Sequence, residues 1–171
     1  MAGQDEVPPE SPYAFLTDEQ IRVWYAWMKL QLRLRYEMNR QLRADSDISL
    51  ADYDVLVALT SEPDGVMTMT ALATRIGWER SRASHHTKRL AERGLVELRR
   101  WDQDRRSTAV ALTEDGWRTL RDATPDHTDL VKRMFFSGLD SAELPGFAEV
   151  LERVYETVID HGTLPRPADH P

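Results

Sequence analysis

The stretch from Gly94 to Arg106 constrains the fold more than any other part of the chain. Its glycine ends a helix, a strand follows, and a tight turn rich in Asp and Arg comes next. A second strand is predicted over 108–112, and Thr113 begins another helix. A short hairpin directly after a basic amphipathic helix is typical of a winged helix. We therefore expect a mainly α fold that carries a small β-hairpin wing.

Positive charge is concentrated in one part of an acidic chain. The whole chain carries a net charge of −7, which by itself argues against a nucleic-acid partner. Residues 68–112 nevertheless contain ten basic and five acidic residues, a net charge of +5, so the remaining residues carry −12. This is the electrostatic pattern of a DNA-binding module. An ordinary solvated helix face is the alternative, and it fits less well because the positive residues gather on one helix and one hairpin.

Composition excludes several classes of function. The 171 residues include no cysteine, which excludes disulfides, thiolate catalysis and cysteine-based redox sensing. Charges interrupt every apolar stretch, so we expect no membrane span and no membrane partner. The segment from Met1 to Pro12 is acidic, rich in proline and without the apolar core of a signal peptide. We therefore expect a cytoplasmic protein.

The sequence offers little support for an enzyme. It contains no nucleophile elbow, phosphate-binding loop or metal-ligand cluster, so we expect no catalytic residue, metal or cofactor. A hydrolase that uses Asp126, His127 or His161 is the alternative from another class. Asp126 and His127 follow Pro125, and we interpret them as the restart of a helix. Adjacent histidines such as His85 and the next residue point about 100° apart on a helix, so they rarely share one metal ion.

Apolar periodicity predicts six helices and two regions. The predicted helices span 17–44, 49–60, 68–77, 80–93, 114–137 and 141–161. The first is apolar on two faces and the last has apolar residues at helical spacing, so we expect both in a dimer interface. The two short helices on either side of Gly77 form a predicted helix-turn-helix. The expected organisation is a disordered tail (1–16), a helical dimerisation region (17–48 and 113–162), a winged helix-turn-helix DNA-binding domain (49–112) and a flexible tail (163–171).

The fourth predicted helix and the wing supply the candidate DNA-binding residues. Side chains in the first turns of such a helix enter the major groove, and later ones contact phosphate. We expect base or phosphate contacts from Ser81, Arg82 and His85, and phosphate contacts from Lys88 and Arg89. Arg82 suits a guanine edge, to which it can donate two hydrogen bonds. The alternative is an ordinary amphipathic helix with a solvated basic side.

The tip of the wing has its own predicted chemistry. Arg105 and Arg106 are suited to a DNA minor groove, where the potential is most negative. Asp104 stands two residues before Arg106, close enough to hold its guanidinium group in position. An arginine that is already ordered loses less entropy when it enters the groove.

Taken together, these elements resemble the MarR family of bacterial transcription regulators. The elements that carry the resemblance are the helix-turn-helix, Gly94-Leu95-Val96, Asp104-Arg105-Arg106 and Leu112-Thr113-Glu114-Asp115-Gly116. The resemblance covers residues 17–161 and implies an obligate homodimer that binds a palindromic operator in double-stranded DNA. It also implies that Arg106 is the minor-groove arginine and Asp104 its orienting carboxylate.

The chain departs from the family pattern at the recognition helix. Glu79 stands at the helix cap, where Ser or Thr is common, and we expect it to cap weakly. His86 and Thr87 occupy positions where the family usually has aliphatic residues. Because His86 falls near the inner face, we interpret it as a hydrogen-bonded, half-buried histidine.

The resemblance also implies an effector, because many family members are released from DNA by small aromatic or phenolic acids. We therefore expect a repressor that such a ligand releases. The candidate ligand-binding residues are Arg22, Trp24, Tyr25, Trp27, Met28 and Tyr53. Core and dimer packing is the alternative explanation for each of these aromatic residues, and an accessory DNA-binding protein without an effector is the alternative function.

Overall fold

The computed structural model describes residues 13–168, and it has the expected mainly helical fold with a small β-sheet. The helices are α1 (Asp18–Ser46), α2 (Leu50–Leu59), α3 (Met69–Arg75), α4 (Arg80–Glu92), α5 (Glu114–Met134) and α6 (Leu144–His161). The strands are β1 (Val66–Thr68), β2 (Val96–Arg100) and β3 (Thr108–Leu112), and one 3₁₀ turn covers Phe136–Gly138. Of the two predicted tails, positions 1–12 and 169–171 lie outside the described residues.

The chain divides into two compact units, Met1–Glu37 and Met38–Pro171. The first unit contains most of α1. Its N-terminus is capped as predicted, because the Thr17 hydroxyl accepts from the Gln20 backbone and the Gln20 side chain accepts from the Thr17 backbone. Most apolar side chains on this part of α1 are exposed, including Val23 at 70 % and Leu32 at 64 %.

The second unit contains the helix-turn-helix and its core. The predicted capping box opens α2, in which the Ser49 hydroxyl and the Asp52 carboxylate each accept from the other residue's backbone N–H. Thr68 caps α3 through its hydroxyl, which accepts from a backbone N–H in the first turn. A core of buried side chains lies beneath these helices, and its fully buried members include Leu42, Val55, Leu56, Leu59, Leu72, Leu90 and Val110.

The sheet has one strand more than the predicted hairpin. All three strands are antiparallel, in the order β1-β3-β2, with Val66 opposite Ala111 and Val96 opposite Leu112. The sequence analysis missed β1 because three residues are too short to show alternation. Pairing with β1 buries β3 at the centre of the sheet, where Ala109 and Val110 are almost inaccessible.

Helix α5 runs without a break through Pro125, so the predicted restart at Asp126 is wrong. The proline removes one backbone donor from the helix. The helix tolerates this loss because it has buried side chains on both sides of Pro125: Leu120 and Ala123 before it and Leu130 after it. Helix α6 begins at Leu144, three residues later than predicted, and none of its side chains is buried.

The segment after α6 is held by polar contacts. Arg166 forms a two-pronged ion pair with Glu156, and the carbonyl of Ala168 accepts a hydrogen bond from Arg75 at 2.6 Å. Within residues 13–168, no helix is long and apolar enough to cross a membrane.

Candidate nucleic-acid interface

Helix α4 presents a polar, largely basic face to solvent. All five side chains predicted to contact DNA from this helix are exposed: Ser81, Arg82, His85, Lys88 and Arg89. They recur at intervals of three and four residues, so they share one face. The opposite face is buried, with Ala83 and Thr87 fully inaccessible. The sequence therefore predicted correctly which side of the helix faces outward.

Thr87 shows how the inner face accepts a polar residue. Its hydroxyl donates to the backbone carbonyls of Ala83 and Ser84 at 2.9 and 3.2 Å. A buried hydroxyl that bonds to its own helix leaves no unsatisfied donor, while its methyl group packs like that of valine. The departure from an aliphatic family pattern is thus accommodated without a water molecule or a second polar residue.

The turn before α4 is formed by Gly77 and Trp78. Gly77 has φ of +66°, which an L side chain rarely adopts, and the next backbone N–H donates to Ala73 at 2.9 Å. Glu79 then occupies the N-cap, but its side chain makes no capping hydrogen bond. The expectation that Glu79 caps weakly is therefore wrong, and the first turn of α4 depends on tertiary contacts instead.

Trp78 supplies one of those contacts, and the sequence analysis did not single it out. Its side chain is buried, with 8 % of the residue exposed. The Arg82 guanidinium carbon lies 4.1 Å from the centre of the Trp78 ring, in cation–π geometry. The edge contact of Trp78 with His86 has a centroid distance of 5.2 Å and an interplanar angle of 81°. One aromatic ring therefore contacts an exposed arginine and a buried histidine of the same helix.

His86 is hydrogen-bonded, as interpreted from the sequence, but it is buried rather than half-buried. Its Nδ1 lies 2.9 Å from an Arg89 guanidinium nitrogen and must accept there, because arginine can only donate. Its Nε2 therefore carries the proton and lies 2.7 Å from the Asp52 Oδ1, in a short but bent contact. His86 thus joins the recognition helix to α2.

Asp52 is the acidic centre of this junction. Besides His86, its carboxylate accepts from the Ser49 backbone at 2.8 Å and from Arg93 at 3.2 Å. Burial alone raises the pKa of Asp52, but hydrogen bonding from His86 and Ser49 outweighs burial and holds the pKa well below its usual range. Asp52 is therefore ionised at neutral pH and ties the middle and the C-cap of α4 to α2.

The tip of the wing is ordered by Asp104, although not as predicted. Its two carboxylate oxygens accept from the Arg106 backbone N–H at 3.0 Å and from the Ser107 hydroxyl at 2.8 Å. These two bonds lower the pKa of Asp104. The expectation that Asp104 holds the Arg106 guanidinium is corrected, because the carboxylate stabilises the turn itself. Arg105 and Arg106 are both exposed at this tip.

The candidate ligand-binding residues fall in both units. In the first unit, Trp24, Tyr25 and Trp27 are 48, 57 and 44 % exposed, Arg22 is exposed, and Met28 is half-buried. In the second unit, the ring of Tyr53 packs 4.5 Å from that of His127. A groove of about 660 Å³ in the second unit is lined by none of these six residues. Its lining includes Trp117, Arg121 and Lys132, which the sequence analysis did not consider.

His127 belongs to the core of the second unit. It is buried and contacts the side-chain oxygen of Gln41 at 3.2 Å through Nδ1. Burial is the main cause that lowers the pKa of His127, which favours the neutral ring. Its buried hydrogen bond and ring contact account for it as a packing residue. Among residues 13–168, no group of three or more potential ligands could hold a metal ion.

The arrangement defines a class of protein: a helix-turn-helix and a basic wing carried on one core. A MarR family model matches residues 46–107. Sco3205 of Streptomyces coelicolor, a MarR family regulator solved in complex with DNA, is 30 % identical, and the match covers 88 % of this chain and 98 % of that one with a TM-score of 0.82. AbsC, from the same organism, gives 28 % identity, 84 % and 97 % coverage, and a TM-score of 0.78.

A further similar protein is the transcriptional repressor MprA of Escherichia coli (strain K12). It is 26 % identical over 127 residues, which are 74 % of this chain and 71 % of MprA. The match to Sco3205 extends over nearly all of that protein, and the family model covers the helix-turn-helix, strand β2 and the turn of the wing. The chain therefore belongs to the MarR family of DNA-binding transcriptional regulators.

Proposed function

We propose that the protein is a homodimeric repressor that binds a palindromic operator, and that a small aromatic acid releases it. One observation carries the DNA-binding part of this proposal: the five exposed polar side chains of α4 share one face, directly before a wing whose tip exposes two arginines. Helix α4 enters the major groove, where Ser81, Arg82 and His85 contact bases and Lys88 and Arg89 contact phosphate. Arg105 and Arg106 enter the adjacent minor groove, and Asp104 keeps the turn that presents them.

Exposed apolar surface supports the homodimer. On α6, Val154 is 58 % exposed and Val158 is 61 % exposed, and Val23 and Leu32 on α1 are more exposed still. Large exposed apolar side chains on a helix usually mark an interface, and two-fold dimers are the commonest arrangement. Two copies with one helix-turn-helix each fit a palindrome whose half-sites lie about one helical turn, or roughly 10 base pairs, apart.

The repressor role is supported by the similarity to MprA, which is named as a transcriptional repressor. The effector proposal depends on the exposed aromatic residues of α1, Trp24, Tyr25 and Trp27, which are accessible to a flat ligand. Arg22 on the same helix can pair with the carboxylate of that ligand. A ligand that binds better to one conformation of the dimer shifts the population away from the form that fits DNA. The alternative, an accessory DNA-binding protein without an effector, would leave these aromatic residues to dimer packing.

The DNA-binding proposal is tested with the full chain and duplexes selected from a random library. We expect the selected duplexes to contain an inverted repeat, and their affinity to fall steeply with salt because the basic module displaces counterions. Arg121→Ala, which removes an exposed arginine from α5, is the matched control for Arg82→Ala and should bind like wild type. Selection that yields no common sequence would contradict the proposal.

The effector is tested separately. Salicylate-like aromatic acids are titrated while tryptophan fluorescence and operator release are followed. Saturable quenching together with release supports the effector. Quenching without a change in DNA affinity would show a site that does not regulate, and no quenching by any acid in the series would favour the packing interpretation.

A further inference from the structure

The structure holds the Arg82 side chain, which would otherwise be flexible on the surface of α4, against an aromatic ring. A free arginine side chain on a helix surface samples many rotamers, and it must give up that rotamer entropy to make a fixed base contact. In the structure its guanidinium already lies over the Trp78 ring, at 4.1 Å from the ring centre. Stacking uses the flat face of the guanidinium and leaves its edge N–H donors in the plane. An arginine held over a ring in this way can therefore still donate two hydrogen bonds to a guanine.

The Trp78 ring that contacts Arg82 is itself held in place by neighbouring residues. Trp78 is held in the turn by its backbone bond to Ala73 and by the edge contact of its ring with His86. His86 in turn lies between the buried carboxylate of Asp52 and the guanidinium of Arg89. A chain of contacts thus extends from the capping box of α2, through two buried rings, to an exposed arginine at the start of the recognition helix.

We infer that Trp78 is a positioning residue for sequence recognition: it holds Arg82 ready for its base, and His86, tied to Asp52, keeps the Trp78 ring in place. This inference rests on the proposed function, because it needs Arg82 to contact the operator. It makes sequence preference depend on a residue that does not itself face the DNA. The same junction orders Arg89, so one buried histidine supports both a base-contacting and a phosphate-contacting side chain.

The test measures preference, defined as affinity for the selected operator divided by affinity for a scrambled duplex. Trp78→Leu removes the aromatic face and keeps an apolar side chain, and Trp78→Phe keeps a smaller ring. A cation–π contact at an exposed site corresponds to about a two- to fivefold effect. We expect Trp78→Leu to lower the preference by that factor, and Trp78→Phe to retain most of it.

A double-mutant cycle separates positioning from general stability. In an Arg82→Ala background, Trp78→Leu should have no further effect on preference. Leu120→Ala, a core deletion on α5, is the matched control and should lower the melting temperature without changing preference. An equal loss of preference from Trp78→Leu in both backgrounds would overturn the inference, as would full preference in folded Trp78→Leu.

A measurement that leaves Trp78 intact covers the case in which Trp78→Leu does not fold. In the free wild-type protein, the Arg82 Nε–H proton should be shifted upfield by the Trp78 ring current in an NMR spectrum, and Trp78→Phe should reduce that shift. An Arg82 resonance at the position of the other exposed arginines would overturn the inference. If wild type itself shows no preference for any duplex, the proposed function fails, and that result is distinct from the outcomes above.

Discussion

Replacing Asp52 with Asn removes the charge at the junction between α2 and α4 while keeping nearly the same side-chain volume. The amide oxygen introduced by Asp52→Asn can still accept from the Ser49 backbone, so the capping box is partly retained. The contact with His86 loses its charged acceptor, and the contact with Arg93 is no longer an ion pair. The substitution therefore isolates the contribution of the buried charge.

The magnitude follows from the exposure of each partner. A hydrogen bond to a charged group contributes about 1.5–3 kcal/mol, and the bent geometry of the buried His86 contact places it at the lower end of that range. The Arg93 side chain is 40 % exposed, so solvent screens its ion pair and it contributes about 0–1 kcal/mol. We expect Asp52→Asn to lower the free energy of unfolding at pH 7 by about 1.5–2.5 kcal/mol, the sum of these two contributions.

The pH dependence of this effect has a definite sign. The pKa of Asp52 is lower in the folded state than in the unfolded chain, so the carboxylate stabilises the fold at any pH above the unfolded pKa, about 3.9. That contribution is lost as pH falls through the folded pKa. The difference in stability between wild type and Asp52→Asn should therefore shrink below about pH 4.

Urea denaturation followed by circular dichroism measures this difference, at one fixed protein concentration because a dimer's stability depends on it. Asp126→Asn, which neutralises an exposed aspartate on α5, is the control and should change stability by less than about 0.5 kcal/mol. Wild-type stability in Asp52→Asn at pH 7, or a difference that does not shrink in acid, would refute the reasoning.

Four further substitutions concern the recognition helix, the first turn of α5 and the wing. Because the Glu79 side chain makes no capping bond, Glu79→Ser should raise the free energy of unfolding by about 0.5–1 kcal/mol, measurable by urea denaturation. A Cβ at Gly116 would lie 2.1 Å from the Leu95 carbonyl oxygen, so Gly116→Ala should destabilise by at least about 2 kcal/mol; an unchanged melting temperature would contradict this. Arg106→Ala should weaken binding to operator and scrambled DNA by similar factors, because a minor-groove arginine that reads no base contributes equally to both. The dimer mass should stay constant in light scattering. A loss of affinity for the operator alone would contradict this role of Arg106. Asp104→Ala should reproduce part of that loss by loosening the turn.

Local signals made much of the fold predictable. Ser49 with Asp52, Thr68 and Gly77 mark helix ends through backbone chemistry that acts within three residues, and the structure has each one where expected. The exposed face of α4 was equally predictable from the sequence, because the spacing of its apolar residues determines which side is buried.

The features that were missed depend on contacts distant in sequence. Strand β1 forms because Val66–Thr68 pairs with β3, about 40 positions later along the chain, and three residues alone carry no period. The continuity of α5 through Pro125 depends on its buried face, which a local rule about proline does not see. The role of Trp78 depends on contacts of its ring with His86 and Arg82, which no local sequence pattern indicates.

The central claim is that α4 and the wing recognise a specific DNA sequence. The most direct test measures the affinity of wild type and of Arg82→Ala for the selected operator and for scrambled DNA at several salt concentrations. Wild type should bind the operator far more tightly than scrambled DNA. Arg82→Ala should lose about 1–3 kcal/mol of binding free energy on the operator, with most of the loss absent on scrambled DNA. Equal affinity of wild type for the two duplexes, or an equal loss on both in Arg82→Ala, would contradict base reading by this helix.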